Sequence, residues 1–388
     1  MFLSDTHLPQ LLPTEAYFDP EHAHREQHQL FEPGWHCVAT TLELPDEGSF
    51  LTTTLLDRPL ILWRREGQIR AFLNVCAHRF SMLTDDPLGR CDRLKCRYHG
   101  WEYDHHGDTK RIPDAKNFKP LRRGELGLTA LPCDTAGCLV FVAVHPNPIS
   151  LGEYLGPGRE LCDAWFDDRC RMVLATDRDN HSNWKVSIEN SLEGYHLTEV
   201  HASTFGNFPN AEQCEHVLHD ERRSELRVRR DSSDRLTRMG RRLAAIAGIE
   251  PQIEYQQFHC YPNFVVARFG PFRWMQATYP RGGSDSYDVW RFLSTGVDPT
   301  TARGRIVHAG MKAWGKRWFQ KVIDEDEAIF PKIQRGLESP RRPGDGLVSI
   351  REERVHHFQR YVQTLVDAPE FSITERDGSD MSEVPACS

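Results

Sequence analysis

Two cysteines and two histidines in the first third of the chain have the types and spacing of a four-ligand metal site. They occur as Cys76-x-His78 and Cys96-x-x-His99. Thiolates and neutral imidazoles bind zinc and iron–sulfur centres, and two sulfurs with two nitrogens suit either. The residue types therefore predict a metal site and leave its metal open.

A second set of candidate ligands begins in the middle of the chain, with His196 and His201. Residues five apart lie about 140° from each other around an ideal helix. Both imidazoles therefore cannot face one metal from an undistorted helix, and we expect the helix to end or bulge near residues 198–200. Glu193, three residues before His196, shares its helix face.

Two histidines need a third ligand to complete a metal site. A triad of two histidines and one carboxylate binds non-haem Fe(II) and leaves positions open for O₂. The candidate carboxylates lie downstream at residues 324–327, in the sequence Asp-Glu-Asp-Glu. Helix neighbours point about 100° apart, so we expect one of the four to face a metal. Spacing alone does not say which, and it also fits a solvated acidic helix face.

Composition excludes several classes of protein. The 388 residues carry a net charge of −8, whereas nucleic-acid and membrane-surface binding require a basic face. The longest apolar run, about residues 138–144, is too short to span a bilayer. We see no signal peptide in residues 1–10. Eleven cysteines without an export signal predict reduced thiols and a cytoplasmic protein.

The pattern of elements predicts an α+β protein with two domains. We expect a helical segment over residues 1–32, a small antiparallel β domain over 33–148, and a catalytic domain over 149–371 with an antiparallel sheet and long helices. Residues 372–388 are predicted to be a disordered tail. Individual helices are predicted over residues 15–30 with an interruption at Pro20, 178–201 with a start near 179 or 182, 302–337 with a kink or split at Pro331, and 350–366.

The first motif resembles the Rieske [2Fe–2S] signature, in which two cysteines hold one iron and two histidines hold the other. Tyr98 and Gly100-Trp101 are also typical of that family. Further along, the chain resembles the α subunits of Rieske non-haem iron oxygenases over nearly its whole length. The matching motifs are Asn183-Trp184-Lys185, Glu189-Asn190, Tyr195-His196 and His201. Residues 325–326 and 334–337 are similar to the carboxylate segment in the branch of the family that oxidises choline, glycine betaine and carnitine.

The resemblance assigns roles that spacing leaves open. It implies a helix-grip-like catalytic domain in which Asp326 is the third iron ligand, with Glu325 the next candidate. It also implies that Glu193 has a catalytic role, bridging His196 to His99 of the neighbouring subunit in a homotrimer. Such a bridge would orient both imidazoles and carry electrons across the interface.

The same resemblance implies a terminal oxygenase, either a mono- or a dioxygenase. Its cofactors would be the Rieske cluster and a mononuclear Fe(II), with O₂ as co-substrate. The sequence has no Gly-x-Gly-x-x-Gly motif opening a helix. We therefore expect NAD(P)H to act through a separate flavin/iron–sulfur reductase or ferredoxin. The reaction would hydroxylate or oxidatively demethylate a small organic substrate.

Alternatives remain at this stage. A quaternary amine would need an aromatic cage, but aromatic side chains suit an arene or an aromatic acid equally well. Candidate cage residues are Phe205, Phe208, Tyr255, Phe264, Trp274 and Phe358. An electron carrier with a Rieske cluster alone would leave the second motif unexplained. A ligand-binding protein with a zinc clip would be colourless.

Overall fold

The computed structural model describes residues 2–122, 125–205, 210–229, 235–250, 254–296, 298, 300–341 and 346–367. The predicted disordered tail at 372–388 lies outside the described residues. Every strand pair within the described ranges is antiparallel. Long helices cover part of this sheet structure, so the α+β class is confirmed.

The α-helices are α1 (Pro20–Glu26), α2 (Leu151–Leu155), α3 (Gly158–Trp165), α4 (Trp184–Leu192), α5 (Leu197–Val200), α6 (Arg235–Ala247), α7 (Ala302–Glu327), α8 (Phe330–Leu337) and α9 (Glu353–Val366). The strands are β1 (Leu8–Pro9), β2 (Trp35–Thr40), β3 (Ser49–Leu55), β4 (Arg58–Arg65), β5 (Gln68–Leu73), β6 (Leu88–Arg90), β7 (Leu94–Lys95), β8 (Glu102–Tyr103), β9 (Thr109–Arg111), β10 (Ala130–Leu131), β11 (Cys133–Ala136), β12 (Leu139–Ala143), β13 (Arg171–Asn180), β14 (Cys214–Asp220), β15 (Arg223–Arg229), β16 (Glu254–Cys260), β17 (Phe264–Phe269), β18 (Phe272–Pro280), β19 (Ser286–Ser294) and β20 (Leu347–Val348).

The N-terminal half contains three small sheets, with strand orders β10-β5-β4-β3-β6, β11-β12-β2 and β7-β8-β9. The two candidate ligand loops follow β5 and β7. Each loop closes with the same pair of backbone hydrogen bonds. The amide of the cysteine donates to the residue five ahead, and its carbonyl accepts from the residue four ahead. Cys76 and Cys96 therefore begin two equivalent turns.

The C-terminal half is built on one seven-stranded sheet of order β13-β19-β18-β17-β16-β15-β14. The long helix α7 packs on β13 and β19 at one end of this order. Helix α4 packs on β18 and on α8 and α9. Its start is fixed by Asn183, whose side chain accepts a hydrogen bond from the amide of Lys185. Helix α7 carries the candidate carboxylates, and α4 leads into the segment that contains the two candidate histidines.

A buried ion pair fastens the N-terminal segment to helix α4. The carboxylate of Glu26 accepts from Lys185 Nζ at 2.5 Å and from Trp184 Nε1 at 2.8 Å. All three side chains are buried. The largest buried apolar cluster also contains residues from both predicted domains. The domain boundaries at 33–148 and 149–371 therefore stay predictions.

Several predicted elements differ from the observed ones. The helix predicted over 15–30 is a 3₁₀ turn (Thr14–Tyr17), α1 and a π-helical turn (Gln27–Phe31). Of the two predicted starts of the helix over 178–201, residue 179 is wrong, because β13 continues to Asn180. Residue 182 lies two residues before the observed start of α4 at Trp184. The kink predicted at Pro331 is observed as the break between α7 and α8, where Pro331 occupies the first turn of α8.

Candidate metal centres

In the first motif the two cysteines are buried, whereas the two histidines are more exposed. Cys76 and Cys96 are buried at 1% and 2% exposure. His78 is half-buried and His99 is exposed. Their imidazole centroids lie 4.7 Å apart. A [2Fe–2S] cluster with its cysteine-bound iron inside and its histidine-bound iron at the surface fits this donor set.

Side chains outside the motif hold these ligands in place. The indole of Trp101 is buried and stacks on His78 with centroids 4.9 Å apart and planes 4° apart. The hydroxyl of Tyr103 lies 3.0 Å from Cys76 Sγ and accepts a hydrogen bond from the amide of Ala77. Burial raises the pKa of Tyr103, and the neighbouring thiol adds to this. The phenol therefore keeps its proton, which it can donate to the sulfur when Cys76 is a thiolate.

The second motif is positioned by a break in the catalytic helix. Helix α4 ends at Leu192, and Glu193 is extended, with φ −129° and ψ 173°. The single turn α5 then runs between His196 and His201. The predicted helix end near residues 198–200 is observed, because α5 ends at Val200. The sequence did not predict the further break before the first histidine, where α4 ends. Placing one histidine at each end of a single turn lets both rings face the same point.

Asp326, in the last turn of α7, completes this cluster. Its Oδ1 lies 2.9 Å from His201 Nε2 and 3.6 Å from His196 Nε2. One ligand atom from each of the three residues lies within 4.8 Å of the other two. Asp326 Oδ1 is buried, and apart from its pairing with the two imidazoles it has no hydrogen-bond partner among the described residues. An acceptor in this situation fits a cation placed between the three side chains.

Carboxylates on the far side of each ring fix the histidine tautomers. His196 Nδ1 is bonded to Glu193, and His201 Nδ1 lies 2.8 Å from Glu325 Oε2. When each Nδ1 carries the proton, each Nε2 presents a lone pair toward Asp326. Burial opposes charge on His201, but Asp326 and Glu325 outweigh it and raise its pKa. The donor set therefore fits a divalent metal.

The two candidate carboxylates at 325 and 326 have different surroundings. The carboxylate of Glu325 already accepts hydrogen bonds from several donors. Besides His201, the hydroxyls of Ser203 and Thr204 donate to it at 3.0 and 2.9 Å. These bonds outweigh burial and lower its pKa. Asp326 faces both Nε2 atoms. The geometry thus brings His196, His201 and Asp326 together and leaves Glu325 behind His201.

A cavity of about 220 Å³ adjoins this triad. Much of its wall is aromatic. The aromatic lining includes Phe205, Phe272, Trp274, Trp290, Phe292, Trp314, Trp318 and Phe319. Of the predicted cage candidates, Phe205, Tyr255 and Trp274 line the cavity. Phe264 and Phe358 are instead packed in the main core, and Phe208 lies outside the described residues.

Two family models match the chain. Residues 34–131 match the Rieske [2Fe-2S] domain, and residues 166–368 match the catalytic domain of the ring hydroxylating alpha subunit. The second match covers more than half of the chain.

This chain belongs to the ring-hydroxylating oxygenase α-subunit family. Choline monooxygenase of *Spinacia oleracea* is 27% identical over 370 residues, covering 92% of this chain and 78% of that protein. The glycine betaine monooxygenase oxygenase subunit of *Pseudomonas aeruginosa* strain UCBPP-PA14 is 29% identical over 191 residues, covering 49% of this chain and 44% of that protein.

Solved structures show the same fold. The quaternary ammonium Rieske monooxygenase CntA with L-carnitine superimposes with a TM-score of 0.73 at 18% identity, covering 93% of this chain and 96% of the other. Naphthalene 1,2-dioxygenase from *Rhodococcus* sp. gives a TM-score of 0.72 at 20% identity, covering 92% and 95%. The predicted Rieske domain and catalytic domain are thus confirmed as folds.

Family membership confirms the predicted class of activity. This α subunit is a terminal oxygenase that uses a Rieske [2Fe–2S] cluster, a mononuclear iron and O₂. The α subunits of this family bind small substrates and work with a reductase or ferredoxin. In the part of the chain that the structure describes, no helix combines the length and apolarity needed to cross a membrane.

Proposed function

We propose that this oxygenase oxidises a methyl group of a small quaternary or tertiary amine bound in the aromatic cavity. In this proposal Cys76, His78, Cys96 and His99 hold the Rieske cluster, and His196, His201 and Asp326 hold the iron. When bound, the cluster supplies electrons and the iron leaves positions for O₂. The protein contributes substrate binding, orientation and exclusion of water.

The aromatic wall is the observation that carries the proposal. Phe292 stacks against Phe319 with centroids 4.1 Å apart and against Trp290 at 5.4 Å. Trp274 lies 5.9 Å from Phe319. Indole and phenyl faces attract cations, and the attraction reaches about 2 kcal/mol when the site is desolvated. These rings lie in the cavity that also contains the metal triad.

The charges of the cavity also favour a cation. Among the described residues that line it, acidic side chains outnumber basic ones: Glu193, Asp288, Asp326 and Glu327 against Arg351. Asp288 is buried and accepts from neutral donors, including Ser187 Oγ at 2.9 Å. Burial raises its pKa despite these bonds. An ammonium group would stabilise this carboxylate, whereas an aromatic acid would be repelled by it.

A matched pair of ligands tests the proposal. Choline and 3,3-dimethylbutan-1-ol have the same shape, but only choline is charged. With a suitable reductase, NADH and O₂, we expect a quaternary amine of this size to release an aldehyde and consume O₂. We expect the neutral isostere to bind roughly 30-fold more weakly, following about 2 kcal/mol of cation–π attraction. Hydroxylation of anthranilate instead, with no turnover of amines, would establish an arene oxygenase.

We further propose that the active form is a ring of three copies. Glu193 already contacts His196 within one chain. His99 is exposed in the single chain, as is the neighbouring Tyr98 at 57%. A second copy covering this surface would bring its own Glu193 toward His99. Sedimentation of the iron-loaded protein measures the assembly, and a monomer would contradict it.

We also expect a cytoplasmic location. None of the cysteines in the described ranges forms a disulfide, and most of them are buried. Reduced thiols fit a reducing compartment. Fractionation of expressing cells would test this, and recovery in an exported fraction would contradict it.

A further inference from the structure

The segment from Phe2 to Leu11, here called the strap, lies across the catalytic domain and reaches the substrate cavity. Its strand β1 pairs with β20. The amide of Leu11 donates to Gln359 Oε1 on α9 at 2.9 Å. At its other end, Phe2 lines the cavity that contains the metal triad. The sequence gives no indication of this contact.

The strap is fastened beside the cavity by one buried carboxylate. Glu353, at the start of α9 and 3% exposed, accepts hydrogen bonds from the amides of Leu3 at 2.9 Å and Ser4 at 2.8 Å. Its other oxygen lies 2.8 Å from His216 Nδ1. A single side chain therefore joins the strap, α9 and β14. Bonds to a charged acceptor are among the stronger ones in proteins.

This fastening holds the ring of Phe2 against the cavity wall. The ring lies 4.9 Å from the imidazole of His216. It packs on a small buried cluster that contains Cys214, Leu226 and Val228. The guanidinium of Arg351 lies 6.0 Å from the ring centre. Phe2 thus contacts groups from β14, β15 and the residues before α9.

The strands that Phe2 contacts show at which end of the cavity its ring lies. Its contacts on β14 and β15 lie at one end of the strand order, and α7 packs on β13 and β19 at the other. Asp326, on α7, belongs to that other end. The strap therefore covers the part of the cavity at the β14–β15 end of the sheet, opposite the end on which α7 packs.

We propose that Phe2 closes the β14–β15 end of the cavity and limits the length of substrate that it accepts, and that Glu353 is a positioning residue that holds Phe2 there. The closure itself is independent of substrate identity. The choice of ammonium ions as probes rests on the proposed function. Substrates that extend beyond a small head group would meet the Phe2 ring.

Labelling of Cys214 tests the closure without turnover. Cys214 lines the cavity and is 6% exposed. In the iron-loaded full-length protein, Phe2→Ala should raise the rate of its modification by N-ethylmaleimide at least tenfold, measured by peptide mass spectrometry. Glu353→Gln should raise it less. Leu3→Ala is the matched control, because that side chain is 63% exposed and its amide is kept. An unchanged rate in Phe2→Ala would overturn the proposal.

Substrate length provides the second test. For a series from tetramethylammonium to hexyltrimethylammonium, Phe2→Ala should raise kcat/KM for the longest ion relative to the shortest at least tenfold. Phe2→Trp should change the ratio in the opposite direction. An unchanged ratio in both variants would overturn the length limit. If the wild-type enzyme turns over none of these ions, the proposed function fails, and the labelling of Cys214 still decides whether Phe2 closes the cavity.

Discussion

Phe80 and Gly100 occupy the same position in the two equivalent ligand turns, each donating its amide to the carbonyl of the cysteine four residues earlier. Both are left-handed, with φ of 59° and 74°. Glycine adopts this conformation freely, whereas a bulky side chain is strained there by about 1 kcal/mol. Phe80 is nonetheless 79% exposed. Phe80 therefore has a strained backbone, and its side chain exposes a large apolar surface beside the cluster site.

We predict that Phe80→Gly keeps the cluster and the stability of the domain but slows electron uptake. The cluster should retain its visible spectrum, and the melting temperature should not fall. Stopped-flow reduction by the reductase should slow several-fold, because an apolar contact surface is lost. Leu88→Ala, at a side chain that is 57% exposed in β6, is the control. Equal rates in wild type and Phe80→Gly would argue against a docking role.

Tyr103→Phe should lower the reduction potential of the Rieske cluster. The hydroxyl lies 3.0 Å from Cys76 Sγ, and hydrogen bonds to cluster sulfurs stabilise the reduced, more negative state. A bond worth about 1 kcal/mol corresponds to roughly 40 mV for one electron. A redox titration followed by visible spectroscopy measures the shift. A potential equal to that of the wild type would show that the phenol does not act on this sulfur.

Asp326→Ala and Glu325→Gln should separate the two adjacent carboxylates. We expect Asp326→Ala to lose the mononuclear iron and turnover while keeping the colour of the cluster. Glu325→Gln can still accept from His201 Nδ1, so we expect it to retain iron with about 10- to 100-fold weaker affinity. Iron and acid-labile sulfide analysis gives both results. Full iron occupancy and full activity in Asp326→Ala would refute the triad.

Glu193→Gln should retain both metal centres and slow electron transfer between them. The carboxylate bonds His196 Nδ1, and the amide would change the orientation and basicity of that imidazole. Single-turnover kinetics of the reduced enzyme with O₂ measure the effect. Glu199→Gln, on the exposed face of α5, is the control. Matching rates in the two variants would exclude Glu193 from the electron path.

The sequence was informative where ligand chemistry restricts residue types. Cysteine and histidine at fixed short spacings indicated a metal site without any knowledge of the fold. The choice between Glu325 and Asp326 could not be made from spacing, because adjacent helix residues differ by about 100° and either can face the site. It depends on where the turn from His196 to His201 meets the end of α7.

Elements with weak local signals were missed. β13 ends in Thr-Asp-Arg-Asp-Asn, which lacks the apolar alternation of a half-buried strand, because β13 is an edge strand whose exposed face is charged. The contact of Phe2 with the cavity depends on Glu353, which is about 350 residues away. Local pattern cannot indicate pairings over that separation. The role of Tyr103 was missed for a similar reason, since nothing in its spacing indicates a contact with Cys76.

Acidification should destabilise the protein between pH 6.5 and 4 through buried neutral histidines. His36 is 1% exposed, and burial lowers its pKa to about 4. Unfolding returns the pKa to about 6.5, so the unfolded chain binds the proton first and stability falls as the pH drops through this window. His36→Gln should abolish up to about 3 kcal/mol of this loss. Urea unfolding at pH 7 and pH 4.5 measures the difference, with His106→Gln at an exposed site as the control. The same pH dependence in His36→Gln and wild type would show that His36 is not a source of the acid sensitivity.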